Sequence, residues 1–134
     1  MDKIATTLRA AQLTAHNFHN MTRGMSFFAD HEFFAEVYGE YEGDYDAVVE
    51  RAIGTGEAID LCEVTTNAAA KSSNYDCSDM AADEMCAVLL GLEREIQAQA
   101  MESNKGASLG TQNLLQSIAD RSESRVYKLR QRIK

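Results

Sequence analysis

The chain has 134 residues, no proline, no tryptophan and a formal net charge of −8 at pH 7. This length supports one hydrophobic core rather than two. Abundant Ala, Leu, Glu and Gln, uninterrupted by proline, favour long helices over strands. We therefore predict one all-α domain over residues 1–134. Its acidic charge repels nucleic-acid phosphates, so the composition argues against DNA as the main partner.

The cysteines and the apolar runs indicate the cellular compartment of the protein. Cys62, Cys77 and Cys86 form an odd number without CxxC spacing, which is typical of a reducing environment, and we interpret them as buried or incidental. The N-terminal stretch lacks the apolar run of a signal peptide. The longest apolar run, CAVLLGL, is too short to span a bilayer. These features predict a soluble cytoplasmic protein without a membrane partner.

Hydrophobic spacing predicts four long helices, over about residues 3–21, 26–53, 78–103 and 109–133. Ser26 is placed to cap the second helix, and Gly54 and Gly56 to end it. Residues 54–77 are weakly patterned and predict a long crossover with one short helical turn around Ala58–Cys62. Two helical hairpins joined by a long crossover between helices two and three form a ferritin-like four-helix bundle.

Helix two carries the residues that point to metal chemistry. His31 lies near its start, whereas Asp46 and Glu50 lie near its end. Along a helix, His31 is roughly 22 Å from Asp46 and roughly 28 Å from Glu50. Metal ions hold nitrogen and oxygen ligands at ~2 Å, so one copy of this helix cannot bring these side chains to one ion. A shared site therefore requires two copies.

Small residues follow the same edge of helix two. Ala35, Gly39 and Gly43 recur every four residues between the histidine and the carboxylates. Glycine inside a helix costs up to ~1 kcal/mol relative to alanine, so two glycines indicate close packing. If two copies cross antiparallel about a two-fold axis near residues 38–39, His31 of one copy faces Asp46 of the other. Such symmetry generates two equivalent sites per dimer.

The remaining imidazole comes from helix one. His19 borders that helix's apolar stripe, whereas His16 is turned further toward solvent, so His19 is the preferred ligand and His16 the alternative. Imidazole and carboxylate ligands together suit Fe(II), Zn(II) or Mn(II). The predicted metal ligands are thus His19, His31, Asp46 and Glu50. The competing interpretation is that these are ordinary surface or core side chains.

Charge is unevenly distributed along the chain. Residues 30–63 hold eleven carboxylates and one cation, whereas residues 121–134 hold six cations and one acid. Cations near a helix C-terminus stabilise the helix dipole. The alternative is that this basic segment attracts nucleic acid, as in a helical DNA-compacting protein.

The stretch HNMTRGMSFFADHEFFAEVY, followed by DAVVERAIGTG, resembles the Dps family of mini-ferritins (DNA-binding protein from starved cells). The resemblance is carried by two histidines twelve residues apart, an Arg-Gly turn, an Asp-x-x-x-Glu-Arg segment and a glycine pair. These features fall on His19, His31, Arg23–Gly24, Asp46, Glu50, Arg51, Gly54 and Gly56. It covers residues 8–57 and, less closely, residues 109–131.

The resemblance implies a homo-oligomer in which two-fold dimers build a dodecameric shell. It further implies iron as the metal, with zinc as a surrogate, and oxidation of Fe(II) by hydrogen peroxide or dioxygen at sites between subunits. Stored ferric iron would then lie in an acidic cavity, protecting against oxidative damage. Glu36, Glu40 and Asp44 are candidates for lining that cavity, and ordinary solvation explains them equally well.

The sequence departs from the family at two positions of the site. Ala35 stands where the family has an acidic ligand, and Asn20 where it has tryptophan. The family's lysine-rich N-terminal arm is also missing. The alternative function is therefore a ferritin-like oligomer with a zinc-binding or empty site and no turnover, and DNA binding is expected to be weak or absent.

Overall fold

A computed structural model describes all 134 residues and contains five helices and no strand. They are α1 (Asp2–Met21), α2 (Phe27–Gly54), α3 (Leu61–Ser72), α4 (Ala82–Asn104) and α5 (Leu109–Ile133). The all-α prediction is confirmed. None of the five combines the length and the apolar character that crossing a bilayer demands.

The four long helices form two antiparallel hairpins. Helix α1 packs against α2, and α4 packs against α5; α1 also contacts α4, and α2 contacts α5. The core contains 23 buried hydrophobic residues. Leu8 and Phe18 of α1, Phe34 of α2, Leu89 of α4 and Ile118 of α5 all lie in it. This arrangement confirms the predicted ferritin-like four-helix bundle.

The crossover between the hairpins differs from the prediction. Instead of one turn near residues 58–62, it contains the twelve-residue helix α3. The Asp60 carboxylate caps this helix by accepting two backbone N–H groups of its first turn, each at 3.0 Å. Val64 and Ala68 are buried against α1, and Thr14 Oγ1 of α1 donates to Ser72 Oγ at 3.0 Å. Because so few side chains of α3 are buried, the sequence shows no clear hydrophobic spacing there.

Several helix ends also differ in detail. Helix α4 begins at Ala82, later than the predicted start near Ser78. Ser26 occupies the residue before α2, but its side chain makes no capping hydrogen bond. Helix α2 ends as expected at its glycines, because Gly56 has φ +77°, a left-handed conformation that glycine adopts without steric cost.

Candidate metal centre

The turn between α1 and α2 brings two histidines together. His19 lies in the last turn of α1, and His31 lies in the second turn of α2. The Thr22 N–H still donates to the Phe18 carbonyl at 2.9 Å, and the chain then reverses through Gly24 at φ +103°. Only glycine adopts this conformation readily. The sequence therefore defines a tight corner with one imidazole on each side.

Each imidazole is oriented by the main chain of the opposite helix. His19 Nδ1 donates to the His31 carbonyl, and His31 Nδ1 donates to the His19 carbonyl, both at 2.7 Å. The rings stack with centroids 3.7 Å apart. Because a carbonyl oxygen only accepts, each Nδ1 carries a proton, and each neutral ring keeps a lone pair on Nε2. Histidines that bind metals are commonly oriented by such a hydrogen bond.

Other aromatic rings surround this pair. Phe27 stacks on His31 at a centroid distance of 4.9 Å, and Tyr38 meets His19 edge-on at 5.5 Å. His16 is exposed and stacks on Tyr38 at 4.3 Å. No main-chain carbonyl fixes the His16 ring, unlike the other two. This difference favours His19 over His16 as a ligand.

The two carboxylates of the predicted site lie elsewhere on α2. Asp46 and Glu50 are exposed and form neither a salt bridge nor a side-chain hydrogen bond within the chain. No three His, Cys, Asp or Glu side chains of one chain converge closely enough to hold a metal ion. The structure thus brings His19 and His31 together but not the carboxylates. The four ligands can meet only if a second copy supplies two of them.

Three acids on the other polar edge of α2 are paired with α5. Glu36 accepts from Lys128 Nζ at 2.8 Å, and Asp44 Oδ1 lies 2.6 Å from Arg121 Nη2. Glu40 accepts from Arg125 Nη1 at 3.0 Å. All three acids therefore bind cations of α5, and whether they also line a cavity stays a prediction. Four residues of the basic segment bind acids of the same chain: Arg121, Arg125, Lys128 and Arg132.

A buried ion pair lies at the centre of this contact. Arg125 Nε donates to Glu93 Oε1 at 2.5 Å, and the Tyr41 hydroxyl donates to the same oxygen at 2.6 Å. Ser122 Oγ donates to Glu93 Oε2 at 2.5 Å. All four side chains are almost completely buried. Burial and the Glu93 charge raise the pKa of Tyr41 well above its usual value, so this phenol stays protonated.

Asp44 and Asp30 show how α5 holds the two buried acids of α2. Burial raises the pKa of Asp44, although the hydrogen bond from Arg121 and the charge of Arg125 act in the opposite direction. Asp30 accepts two hydrogen bonds from the Arg132 guanidinium, at 2.8 and 2.9 Å. Sequence reasoning missed these pairs. For Asp44 the available signal was the spacing, because Glu36, Glu40 and Asp44 recur every four residues on α2 and the cations of α5 recur every three to four. Asp30 lies six residues before Glu36, so this spacing did not indicate its pair with Arg132.

The glycines between the histidine and the carboxylates have no neighbours in the chain. A Cβ built on Gly39 or Gly43 would meet no heavy atom within 4 Å, and both residues are exposed. Ala35 is half-buried on the same edge. No packing within the chain therefore explains why this edge is made of small residues.

Comparison with known proteins agrees with the helical architecture. The family described as the ferritin-like domain matches residues 2–134. A relative from Synechococcus sp., named Nutrient stress-induced DNA-binding protein, is 25% identical over an alignment of 134 residues. That alignment covers 95% of this chain and 74% of the relative. Because the family match extends over nearly the whole chain, the protein belongs to the ferritin-like domain family.

Proposed function

We propose that this protein is a mini-ferritin of the Dps type, which binds Fe(II) between two copies of the chain, oxidises it and stores the ferric product. Iron is the substrate and cargo of this reaction, and hydrogen peroxide or dioxygen is the oxidant. We further propose that two-fold dimers assemble into a dodecameric shell in the cytoplasm. The family match and the resemblance at residues 8–57 support this proposal.

The observation that carries the proposal is the pair of hydrogen bonds between His19 and His31. Both Nδ1 atoms are held by main-chain carbonyls at 2.7 Å, so both Nε2 lone pairs are available to a metal ion. Two imidazoles and one carboxylate are a frequent ligand set for Fe(II) that reacts with oxidants. Asp46 of a second copy completes this set, and Glu50 adds a fourth ligand.

The open edge of α2 supports a site shared between copies. Asp46 and Glu50 lack partners in their own chain, and the exposed Gly39 and Gly43 let another backbone approach closely. An antiparallel crossing near residues 38–39 would place the carboxylates of each copy beside the histidines of the other. One contact between two copies would thus explain both the unpartnered carboxylates and the small residues of this edge.

Ferric absorbance after mixing Fe(II) with peroxide tests the activity. We expect a rapid rise with the wild-type protein and a rise no faster than the buffer control with His31→Ala. The matched control is His16→Ala, which removes a nearby imidazole that has no hydrogen bond to the main chain. If His31→Ala oxidises Fe(II) as fast as the wild type, the proposed site is wrong.

Complementation tests whether two copies share the site. His31→Ala and Asp46→Ala/Glu50→Ala proteins should each be inactive alone. When the two are unfolded together and refolded, mixed pairs contain one intact site and one site that keeps only His19 of the four ligands. With random pairing, about a quarter of the wild-type sites should return. No recovery, in proteins shown to be folded and mixed, would contradict a shared site.

A second candidate function is a ferritin-like oligomer that binds zinc or nothing and has no turnover. Ala35 favours it, because this side chain offers no oxygen to a metal ion on the proposed ligand edge. This alternative predicts no ferric absorbance in the wild-type protein. If the site holds zinc, His31→Ala should abolish zinc binding.

DNA binding is the least supported function. The name of the Synechococcus relative mentions it. In this chain, however, most cations of the basic segment already bind carboxylates, among them Arg121 and Arg125. We expect no gel retardation at physiological salt. Retardation that disappears as salt rises would instead indicate phosphate contacts.

A further inference from the structure

Tyr38 lies beside the proposed ligands, where its ring packs against the edge of the core. Its ring is 5.5 Å from that of His19 and 4.3 Å from that of His16. His19 in turn stacks on His31 at 3.7 Å. Tyr38 is half-buried, so one edge of this aromatic cluster reaches the surface. A phenol is thus separated from the proposed iron ligands by a single ring contact.

The two core tyrosines of α2, Tyr41 and Tyr45, are engaged differently. The Arg9 guanidinium lies 4.1 Å from the ring centroid of Tyr45, which has no ring contact with a histidine. Tyr41 is fully buried, its hydroxyl donates to Glu93, and the Arg125 guanidinium lies 4.7 Å above its ring. It belongs to the buried ion-pair network and makes no ring contact with a histidine. Tyr38 is therefore the tyrosine of this helix that is placed to exchange an electron with the metal site.

Peroxide reduction needs more electrons than one Fe(II) supplies, and such a phenol can donate one. The proposed site offers four protein ligands, about the number that one metal ion takes, and Ala35 adds none for a second ion. Hydrogen peroxide accepts two electrons, whereas one Fe(II) supplies one. A one-iron site that lacks a second donor therefore releases a hydroxyl radical for each peroxide that it reduces.

We propose that Tyr38 supplies the second electron during peroxide reduction at the shared iron site. This inference rests on the proposed function. Fe(II) and the Tyr38 phenol each give up one electron, the O–O bond breaks, and the phenolic proton passes to one of the oxygen fragments. The products are Fe(III), one hydroxide, one water and a Tyr38 phenoxyl radical. The next Fe(II), together with one proton, reduces this radical to the phenol, so two Fe(II) are oxidised for each peroxide.

The test compares the wild-type protein with Tyr38→Phe and Tyr127→Phe. Tyr38→Phe removes only the hydroxyl and keeps the ring, so the aromatic cluster is retained. Tyr127 is an exposed tyrosine of α5 without a ring contact to a histidine, which makes it the matched control. Each protein is mixed with Fe(II) and peroxide, and ferric absorbance, peroxide consumption, spin-trapped hydroxyl radical and freeze-quenched radical spectra are recorded.

We expect a phenoxyl-radical spectrum in the wild type and in Tyr127→Phe that is absent in Tyr38→Phe. Ring-deuterated tyrosine should narrow the wild-type spectrum. In Tyr38→Phe, Fe(II) oxidised per peroxide should fall from two toward one, and trapped hydroxyl radical should rise several-fold. Ferric absorbance with identical spectra, stoichiometry and trapping in all three proteins would overturn the role of Tyr38 alone. Absence of ferric absorbance in the wild type would overturn the proposed function and this inference with it.

Discussion

The two polar edges of α2 both carry carboxylates, but their surroundings differ. On the paired edge, Glu36, Glu40 and Asp44 all bind cations of α5. On the open edge, which runs from His31 to Glu50, the carboxylates and glycines have no partner in the chain. Acids of the first kind contribute to holding the bundle together, whereas those of the second kind are free to bind something else. Spacing alone does not distinguish them, because the distinction depends on which helix lies opposite.

Removal of the central cation of the paired edge should have the largest effect. Arg125→Met leaves the buried Glu93 carboxylate without its guanidinium partner. Breaking a buried ion pair on one side costs about 3–5 kcal/mol, so the free energy of unfolding in urea should fall by that amount. Protein concentration must be held fixed, since assembly contributes to apparent stability.

Two further variants sharpen this result. Arg130→Met removes an exposed cation of α5 that has no acidic partner, and we expect a change within about 0.5 kcal/mol. Adding Glu93→Gln to Arg125→Met removes the stranded charge and should recover part of the loss. Equal effects of Arg125→Met and Arg130→Met would mean that the buried pair does not stabilise the fold.

Neutral substitutions should separate the two edges by function. Asp46→Asn should weaken Fe(II) binding by more than about tenfold, on the scale reported for perturbed metal sites. The free energy of unfolding of Asp46→Asn should remain within about 0.5 kcal/mol of the wild-type value, because Asp46 has no partner in the chain. Glu36→Gln on the paired edge is the matched control. In Glu36→Gln, Fe(II) binding measured by anaerobic titration should be unchanged. Equal losses of Fe(II) affinity in Asp46→Asn and Glu36→Gln would contradict the assignment of the edges.

A bulky side chain on the open edge should disrupt assembly without unfolding the subunit. Gly39→Leu meets no neighbour within the chain and replaces a poor helix former, so the subunit should keep its helicity. We expect light scattering after size exclusion to give a smaller assembly than the wild type. Gly91→Leu, at an equally open glycine of α4, is the control and should leave the size unchanged. A Gly39→Leu protein of wild-type size would exclude a close crossing at this residue.

The cysteines should show the smallest effects. Cys62 is exposed, whereas Cys86 is buried, and burial raises its pKa to about 11. At mildly alkaline pH a thiol reagent should modify Cys62 in the folded protein and Cys86 only after unfolding. Because the unfolded chain loses this proton at lower pH than the folded one, Cys86 should reduce stability as pH rises toward 11. Rapid native labelling of Cys86 would show that the bundle opens easily.

Hydrophobic spacing was sufficient for the long helices, because each buries a stripe that extends over several turns. It failed for α3, whose buried face is small. It also gave no account of Asp30, an acid beside the apolar stripe of α2. Its partner, Arg132, lies 102 residues away, so only the tertiary structure reveals the pair. Charge counts showed an acidic and a basic region but not that α2 and α5 are neighbours.

The candidate site was predictable to a similar extent. Residue types and helix geometry pointed to His19 and His31 as one half of a shared site, with Asp46 and Glu50 as the other. The orientation of the imidazoles was not predictable, because each Nδ1 binds a carbonyl of the other helix. How the two halves meet stays a prediction, which the complementation experiment addresses.

The reciprocal hydrogen bonds tie the two ligand rings to one another through the backbone. Nδ1 of each ring carries a hydrogen that the main chain of the opposite helix accepts, so Nε2 is the nitrogen that each ring presents outward. Rotating either ring breaks a hydrogen bond at the corner between α1 and α2. A substitution that opens this corner should therefore misplace both nitrogens at once, even though neither histidine has been changed.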